Sequence, residues 1–147
     1  MALDKGYNKA LNYAFLLLRY RQRAVQELKN RLKRKKYPQR DIKQVIAYLK
    51  EYRYLNDKEF ARSFTREKIR RGFGEKRITF DLRRLGVSSG DIQEALTLAR
   101  QEMDENEVLR GMLHKLLEKK KDKNKVIGYL LRRGFAYGSI MRVLDED

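Results

Sequence analysis

The chain has 147 residues, of which 41% are hydrophobic, 38% are charged and one is proline. This composition excludes a disordered or collagen-like chain and predicts one domain or a compact array of small domains. The absence of cysteine and the single histidine, His114, exclude a disulfide framework, most zinc sites and most nucleophilic triads. No apolar run approaches the roughly 20 residues that span a bilayer, and the N-terminal residues lack an apolar signal segment. We therefore expect a cytoplasmic protein without a membrane partner.

Positive charge is the strongest signal in the composition. Lys and Arg number 36 against 20 Asp and Glu, which gives a net charge of +16. The charge is unevenly distributed, with +11 in residues 1–56, +2 in residues 57–104 and +3 in residues 105–147. Such an excess indicates a polyanionic or acidic partner.

Apolar residues recur along the chain with a period of about 48 to 50 residues, which predicts an internal repeat. Five apolar positions keep the same four intervals three times. Four residues after the second of these positions come Lys36, Gly86 and Gly134, and glycine at such a point commonly ends a helix. The three sets are Leu28, Leu32, Ile42, Val45 and Ile46, then Ile78, Leu82, Ile92, Ala95 and Leu96, then Val126, Leu130, Ile140, Val143 and Leu144.

Upstream of each set, further apolar residues at helical spacing predict one more amphipathic helix. The fold class is therefore all-α, an elongated array of three tandem three-helix repeats over 1–56, 57–104 and 105–147, because such small units must lean on their neighbours. Asp57, Ser88 or Ser89, and Asp122 are the expected N-caps. The helices are predicted at 7–19, 24–36, 39–53, 57–71, 74–85, 89–103, 105–119, 122–133 and 137–145.

The segment 85–89 resembles the turn of a helix-turn-helix, whose second helix would enter the major groove of DNA. That second helix, however, carries three acidic residues and a single basic one. Phosphates would repel such a surface. Sequence-specific reading of DNA by this repeat is therefore not expected.

The basic residues instead accompany the middle helix of each repeat and the turn before it. We call this set the basic track, which would contact a phosphate backbone or an acidic protein groove without reading bases. The alternative is a solvated surface held by salt bridges. The basic track comprises Lys29, Arg31, Lys33, Arg34, Lys35 and Lys36, then Arg70, Arg71, Lys76, Arg77, Arg83 and Arg84, then Lys123, Lys125, Arg132 and Arg133.

Enzymatic chemistry has little support in the sequence. No glycine-rich phosphate loop precedes a basic residue in the Walker pattern. Metal-dependent nuclease chemistry through acidic pairs such as Asp57 and Glu59 stays open, but helix capping explains their spacing better. We expect no catalytic residue, no metal and no cofactor.

Three segments resemble the RecX family, and together they cover almost the whole chain. The second repeat carries its central signature in residues 54–61 (YLNDKEFA), followed by Arg70-Arg71-Gly72-Phe73-Gly74. Residues 131–135 (LRRGF) are similar to its C-terminal unit, and the stretch from Ala10 to Arg21 to its N-terminal unit. The chain departs from the family at residues 22–24, where a serine cap is common, and at Lys36, where glycine ends the helix elsewhere.

The resemblance implies a non-enzymatic regulator of the RecA recombinase. RecX proteins bind RecA and its filament on single-stranded DNA and lower ATP hydrolysis and strand exchange, which affects recombination, DNA repair and the SOS response. It implies a chain that lies along the filament groove, and we expect a monomer that also binds single- and double-stranded DNA without sequence preference. A standalone nonspecific DNA-binding protein and a nuclease are the alternatives. The basic track supplies the candidate contact residues.

Overall fold

The computed structural model describes residues 5–119 and 122–146, which form nine α-helices and no strand. Every helix predicted from the periodicity is present, and its ends differ from the prediction by at most two residues. The all-α prediction is therefore confirmed. The helices are α1 (Lys5–Tyr20), α2 (Val25–Arg34), α3 (Gln39–Glu51), α4 (Asp57–Arg70), α5 (Glu75–Arg84), α6 (Ser89–Glu102), α7 (Glu105–Glu118), α8 (Lys123–Arg132) and α9 (Tyr137–Asp145).

The apolar residues of the repeat form the core. All fifteen repeat positions are buried, with at most 8% of each residue exposed. Three apolar clusters result, one for each of unit 1 (α1–α3), unit 2 (α4–α6) and unit 3 (α7–α9). In each unit the first helix packs against the third, and the middle helix contacts both of them. Burying one leucine or isoleucine side chain contributes about 1.5–3 kcal/mol, so the repeated spacing accounts for the fold. The exact unit boundaries remain a prediction.

Unit 1 docks on unit 2 through the start of α2. Ala24, which precedes α2, is fully buried in the apolar cluster of unit 2. The amide of Val25 donates to Oδ1 of Asp57 at 2.9 Å, so this carboxylate satisfies a free amide in the first turn of α2. The prediction that Asp57 caps its own helix is wrong, because Oδ1 of Asn56 accepts from the amide of Glu59 and caps α4. Ser88 and Asp122 are confirmed as caps of α6 and α8.

Unit 2 docks on unit 3 through the start of α5. The amide of Gly74 donates to the carbonyl of Arg133 at 2.7 Å, and the amide of Lys76 donates to the carbonyl of Gly134 at 3.2 Å. These two bonds satisfy donors that the start of a helix leaves without an intrahelical partner. The middle helix of one unit therefore begins on the turn that follows the middle helix of the next unit.

Two glycines make this docking possible. Gly86 and Gly134 lie in the left-handed region, with φ of +85° and +98°. A Cβ atom at Gly86 would collide with Gln26 of α2, and one at Gly134 would collide with Arg77 of α5. Lys36 holds the corresponding turn of unit 1 at φ of 65°, where it is exposed to solvent. The turn conformation thus tolerates a side chain, whereas the docking contact does not.

Candidate interface on the middle helices

An arginine stands at the last position of every middle helix. Arg34, Arg84 and Arg132 end α2, α5 and α8, each two residues after the second buried position of its repeat, and all three are exposed. A cation at this place interacts favourably with the negative end of the helix dipole. The three guanidinium groups therefore occupy the same repeat position, at the end of the middle helix of each unit.

In unit 1 the cations of the basic track differ in their exposure and in their contact with Tyr13. Lys33, Lys35 and Lys36 are exposed, whereas Lys29 and Arg31 are half-buried. Tyr13 of α1 contacts two of these cations. Its hydroxyl accepts from Nη2 of Arg31 at 3.4 Å, and Nζ of Lys35 lies 5.1 Å from its ring centroid. Tyr13 therefore contacts one half-buried and one exposed cation of the basic track.

In unit 2 all six members of the basic track are exposed, namely Arg70, Arg71, Lys76, Arg77, Arg83 and Arg84. Arg84 lies 5.7 Å from the ring centroid of Phe80, a side chain that is itself 55% exposed. Arg77 differs, because its Nε lies 3.2 Å from Oδ1 of Asp81 one turn later, and its backbone abuts the turn at Gly134.

In unit 3 the structure separates two adjacent arginines. Lys123, Lys125 and Arg132 are exposed, whereas Arg133 is half-buried. The guanidinium of Arg133 lies 3.7 Å from the ring centroid of Phe73 and donates to the carbonyl of Gly72 at 3.1 Å and to that of Arg71. Arg133 therefore joins unit 3 to unit 2. The sequence held one signal for this, since Arg133 occupies the repeat position of the half-buried Leu85.

Two of the three acidic residues of α6 pair with cations of α4. Arg62 Nη2 lies 2.7 Å from Oε1 of Glu94, and Arg66 Nε lies 3.3 Å from Oε2 of Glu102. The helix that follows the turn at 85–89 thus packs against α4, and two of its three carboxylates pair with cations of its own unit. In this arrangement α6 is not presented as a recognition helix for the major groove of DNA.

Glu75 of α5 and Glu105 of α7 lie near Arg100 of α6, and we call these two acidic residues the carboxylate pair. Arg100 donates from Nε to Glu75 at 2.9 Å, and this partner raises the pKa of Arg100. Burial, with the nearby Glu75 carboxylate as a smaller cause, raises the pKa of Glu105.

Over residues 5–119 and 122–146, no three His, Cys, Asp or Glu side chains are grouped to hold a metal ion, and no helix is long and apolar enough to cross a membrane.

Comparisons with known proteins agree with the three-unit architecture. Family models match in three segments: RecX, first three-helix domain, over residues 10–49; RecX, second three-helix domain, over 56–96; and RecX, third three-helix domain, over 109–144. The crystal structure of RecX from Lactobacillus salivarius superimposes with a TM-score of 0.82 at 25% sequence identity, covering 98% of this chain and 97% of that one.

Relatives named regulatory protein RecX match over nearly the whole chain. The protein from Thermotoga maritima is 34% identical over 94% of this chain and 84% of its own length. The protein from Caldanaerobacter subterraneus is 29% identical over 93% of this chain and 70% of its own length. The Bacillus subtilis relative is 33% identical over 98% of this chain, which spans only 55% of that protein. The resemblance noted in the sequence is confirmed: the chain belongs to the RecX family.

Proposed function

We propose that this protein is a regulator, mainly an inhibitor, of the RecA recombinase. It binds the RecA–DNA filament, lowers its ATPase activity and strand exchange, and so modulates recombination, DNA repair and the SOS response. Membership of the RecX family supports this function. The observation that carries the mechanism is the exposed arginine at one repeat position of all three units, Arg34, Arg84 and Arg132.

A repeated contact suits a repeated partner. A recombinase filament presents the same surfaces at regular intervals, and an array of similar units engages several of them at once. Once the first unit binds, the next binds as an intramolecular event, so weak contacts combine into high avidity. A chain that bridges successive protomers also opposes the subunit rearrangements that accompany ATP turnover.

The charge of the array supplies a second set of contacts. The exposed cations of the basic track neutralise phosphates of single- or double-stranded DNA, and such contacts carry no sequence information. The alternative function, a standalone sequence-nonspecific DNA-binding protein, uses the same residues and the same net charge of +16 without the recombinase. In either case we propose a cytoplasmic monomer without enzymatic activity, metal or cofactor.

The test is RecA ATPase activity on saturating single-stranded DNA, measured as this protein is added. The regulator predicts inhibition at amounts far below those that coat the DNA, whereas the standalone DNA-binding protein inhibits only when it covers the strand. Inhibition that requires coating would overturn the proposal.

Matched charge variants locate the contact. The triple variant Arg34→Glu, Arg84→Glu and Arg132→Glu is expected to need about tenfold or more protein for half-inhibition, which corresponds to about 1.4 kcal/mol or more of binding free energy. The control makes the same charge change at exposed lysines outside the middle helices, one in each unit, and should inhibit like the parent. Equal loss in both variants would show that net charge alone matters. The control positions are Lys43, Lys58 and Lys115.

A further inference from the structure

A cleft of about 620 Å³ lies where the link between α1 and α2 meets α4 and the end of α5. Its volume falls within the range of about 300–1,000 Å³ that is typical of ligand sites. Phe60 and Phe64 of α4 contribute aromatic side chains to the lining, and Leu85, which follows α5, contributes an aliphatic one. Of the residues that dock unit 2 on unit 3, Arg71 alone lines this cleft, and it contributes to docking through its backbone carbonyl, which accepts from Arg133.

The apolar lining suits an inserted side chain better than a stacked base. The rings of Phe60 and Phe64 lie 5.7 Å apart at an interplanar angle of 31°. The ammonium of Lys68 lies over the Phe64 ring, 5.3 Å from its centroid. A nucleobase that stacked on this same face of Phe64 would have to displace the cation. An aliphatic or aromatic side chain has only to fill the space between α4 and Leu85.

The charges around the cleft favour an acidic ligand. Lys68, Arg71 and Arg84 line it, and the last two are exposed. Of the two carboxylates that line it, Asp81 is paired with Arg77 at 3.2 Å. The fourth lining cation, Arg21, is paired with Glu27, so Glu67 faces the three other cations. Concave sites of one sign concentrate ligands of the opposite sign.

We propose that this cleft binds an acidic peptide segment of a protein partner. The peptide inserts one large apolar side chain against Phe60, Phe64 and Leu85, and its neighbouring carboxylates pair with Arg71 and Arg84. Arginine forms two parallel hydrogen bonds with a carboxylate, so the pair also fixes the orientation of the peptide. This binding activity goes beyond the regulation proposed above, because it requires neither DNA nor recombinase.

Two pairs of variants separate this site from the general charge of the protein. Ser63 is exposed on α4 and lines the cleft, so Ser63→Trp fills it without changing any charge. Thr97→Trp, at an exposed position of α6, is its control.

The second variant reverses two cations of the cleft, Arg71→Glu with Arg84→Glu. Its control reverses their chain neighbours, Arg70→Glu with Arg83→Glu, which are exposed and do not line the cleft. Circular dichroism verifies that each variant keeps the parent helical content. Because the two tests are independent, failure of one variant to fold leaves the other decisive.

The probe is a random dodecapeptide library displayed on phage and selected on the full chain without DNA. Peptides enriched from it are synthesised with a fluorescent label, and their affinity is measured by anisotropy near physiological salt. We expect enriched peptides that are acidic and carry a large apolar residue. Their affinity should fall about tenfold or more with Ser63→Trp and with the Arg71/Arg84 reversal, and less than about twofold with either control.

Three results would overturn the proposal. In the first, the selection enriches no acidic peptide. In the second, the enriched peptides bind Ser63→Trp as tightly as the parent. In the third, Ser63→Trp weakens binding of an oligothymidylate probe as strongly as peptide binding, which would assign the cleft to nucleic acid. Because no recombinase is present, each result is independent of the ATPase test of the proposed function.

Discussion

Replacing Gly134 with asparagine should separate unit 3 from unit 2. Asparagine tolerates the left-handed conformation better than other residues with a side chain, so Gly134→Asn mainly tests the added Cβ atom rather than the φ of +98°. That atom would collide with the backbone and Cβ of Arg77, which belong to the first turn of α5. The collision can be relieved only by moving α5 away from the turn.

The expected cost follows from the contacts that the movement breaks. The hydrogen bonds from the amides of Gly74 and Lys76 to unit 3 are lost, at a net value of about 1 kcal/mol each. The guanidinium of Arg133 leaves the Phe73 ring, 3.7 Å away, which costs about 0.5–1 kcal/mol more. The free energy of unfolding should therefore fall by about 2–3 kcal/mol, equivalent to a decrease in Tm of about 4–12 °C for a chain of this size.

Lys36→Asn is the matched control, because it places the same residue on the equivalent turn of unit 1 at φ of 65°. Lys36 is exposed, so its replacement should change stability by less than about 0.5 kcal/mol. Both variants are measured by urea and thermal denaturation, followed by circular dichroism. If Gly134→Asn were no less stable than Lys36→Asn, the docking turn would not hold the units together, and the reasoning would be refuted.

Three further predictions concern the core, the carboxylate pair and DNA. Leu130 is fully buried, so Leu130→Ala should cost about 2–5 kcal/mol in urea denaturation; a loss below about 1 kcal/mol would contradict its place in the core. The raised pKa of Glu105 means that its stabilising contribution is full below about pH 4.5 and is lost as pH rises through its folded pKa. Glu105→Gln should therefore raise Tm at neutral pH, and the gain over the parent should disappear in acid; a gain that persisted there would refute this origin. Single-stranded DNA affinity should fall linearly with salt on logarithmic axes, and reversing Arg34, Arg84 and Arg132 should reduce the slope by about 2, since each phosphate contact contributes about 0.7; an unchanged slope would exclude these arginines from phosphate contact.

The helices of this protein and their ends can be predicted from the sequence. The spacing of apolar residues placed every helix within two residues of its observed ends. Gly86 and Gly134 were recognisable as helix stops, and Ser88 and Asp122 as caps. These features depend on the 3.6-residue period and on hydrogen bonds between near neighbours in the chain, so they need no knowledge of the tertiary structure.

The roles of individual polar residues depended on partners far along the chain. Asp57 satisfies the amide of Val25 on another unit, and Arg133 binds carbonyls of unit 2, whereas its neighbour Arg132 faces solvent. The two arginines carry the same charge and are adjacent in the sequence, although Arg133 shares its repeat position with an apolar residue, Leu85. Only the docking of one unit on the next decides which of them is engaged.

The cleft proposed to bind an acidic peptide was likewise invisible in the sequence. It combines Arg21, in the link between α1 and α2, with Phe64 of α4 and Arg84 of α5, which are brought together by the docking of unit 1 on unit 2. The sequence determined the helices and their apolar faces because those follow from local periodicity. The surfaces between units were decided by tertiary packing, since a concave site exists only where residues distant in sequence meet.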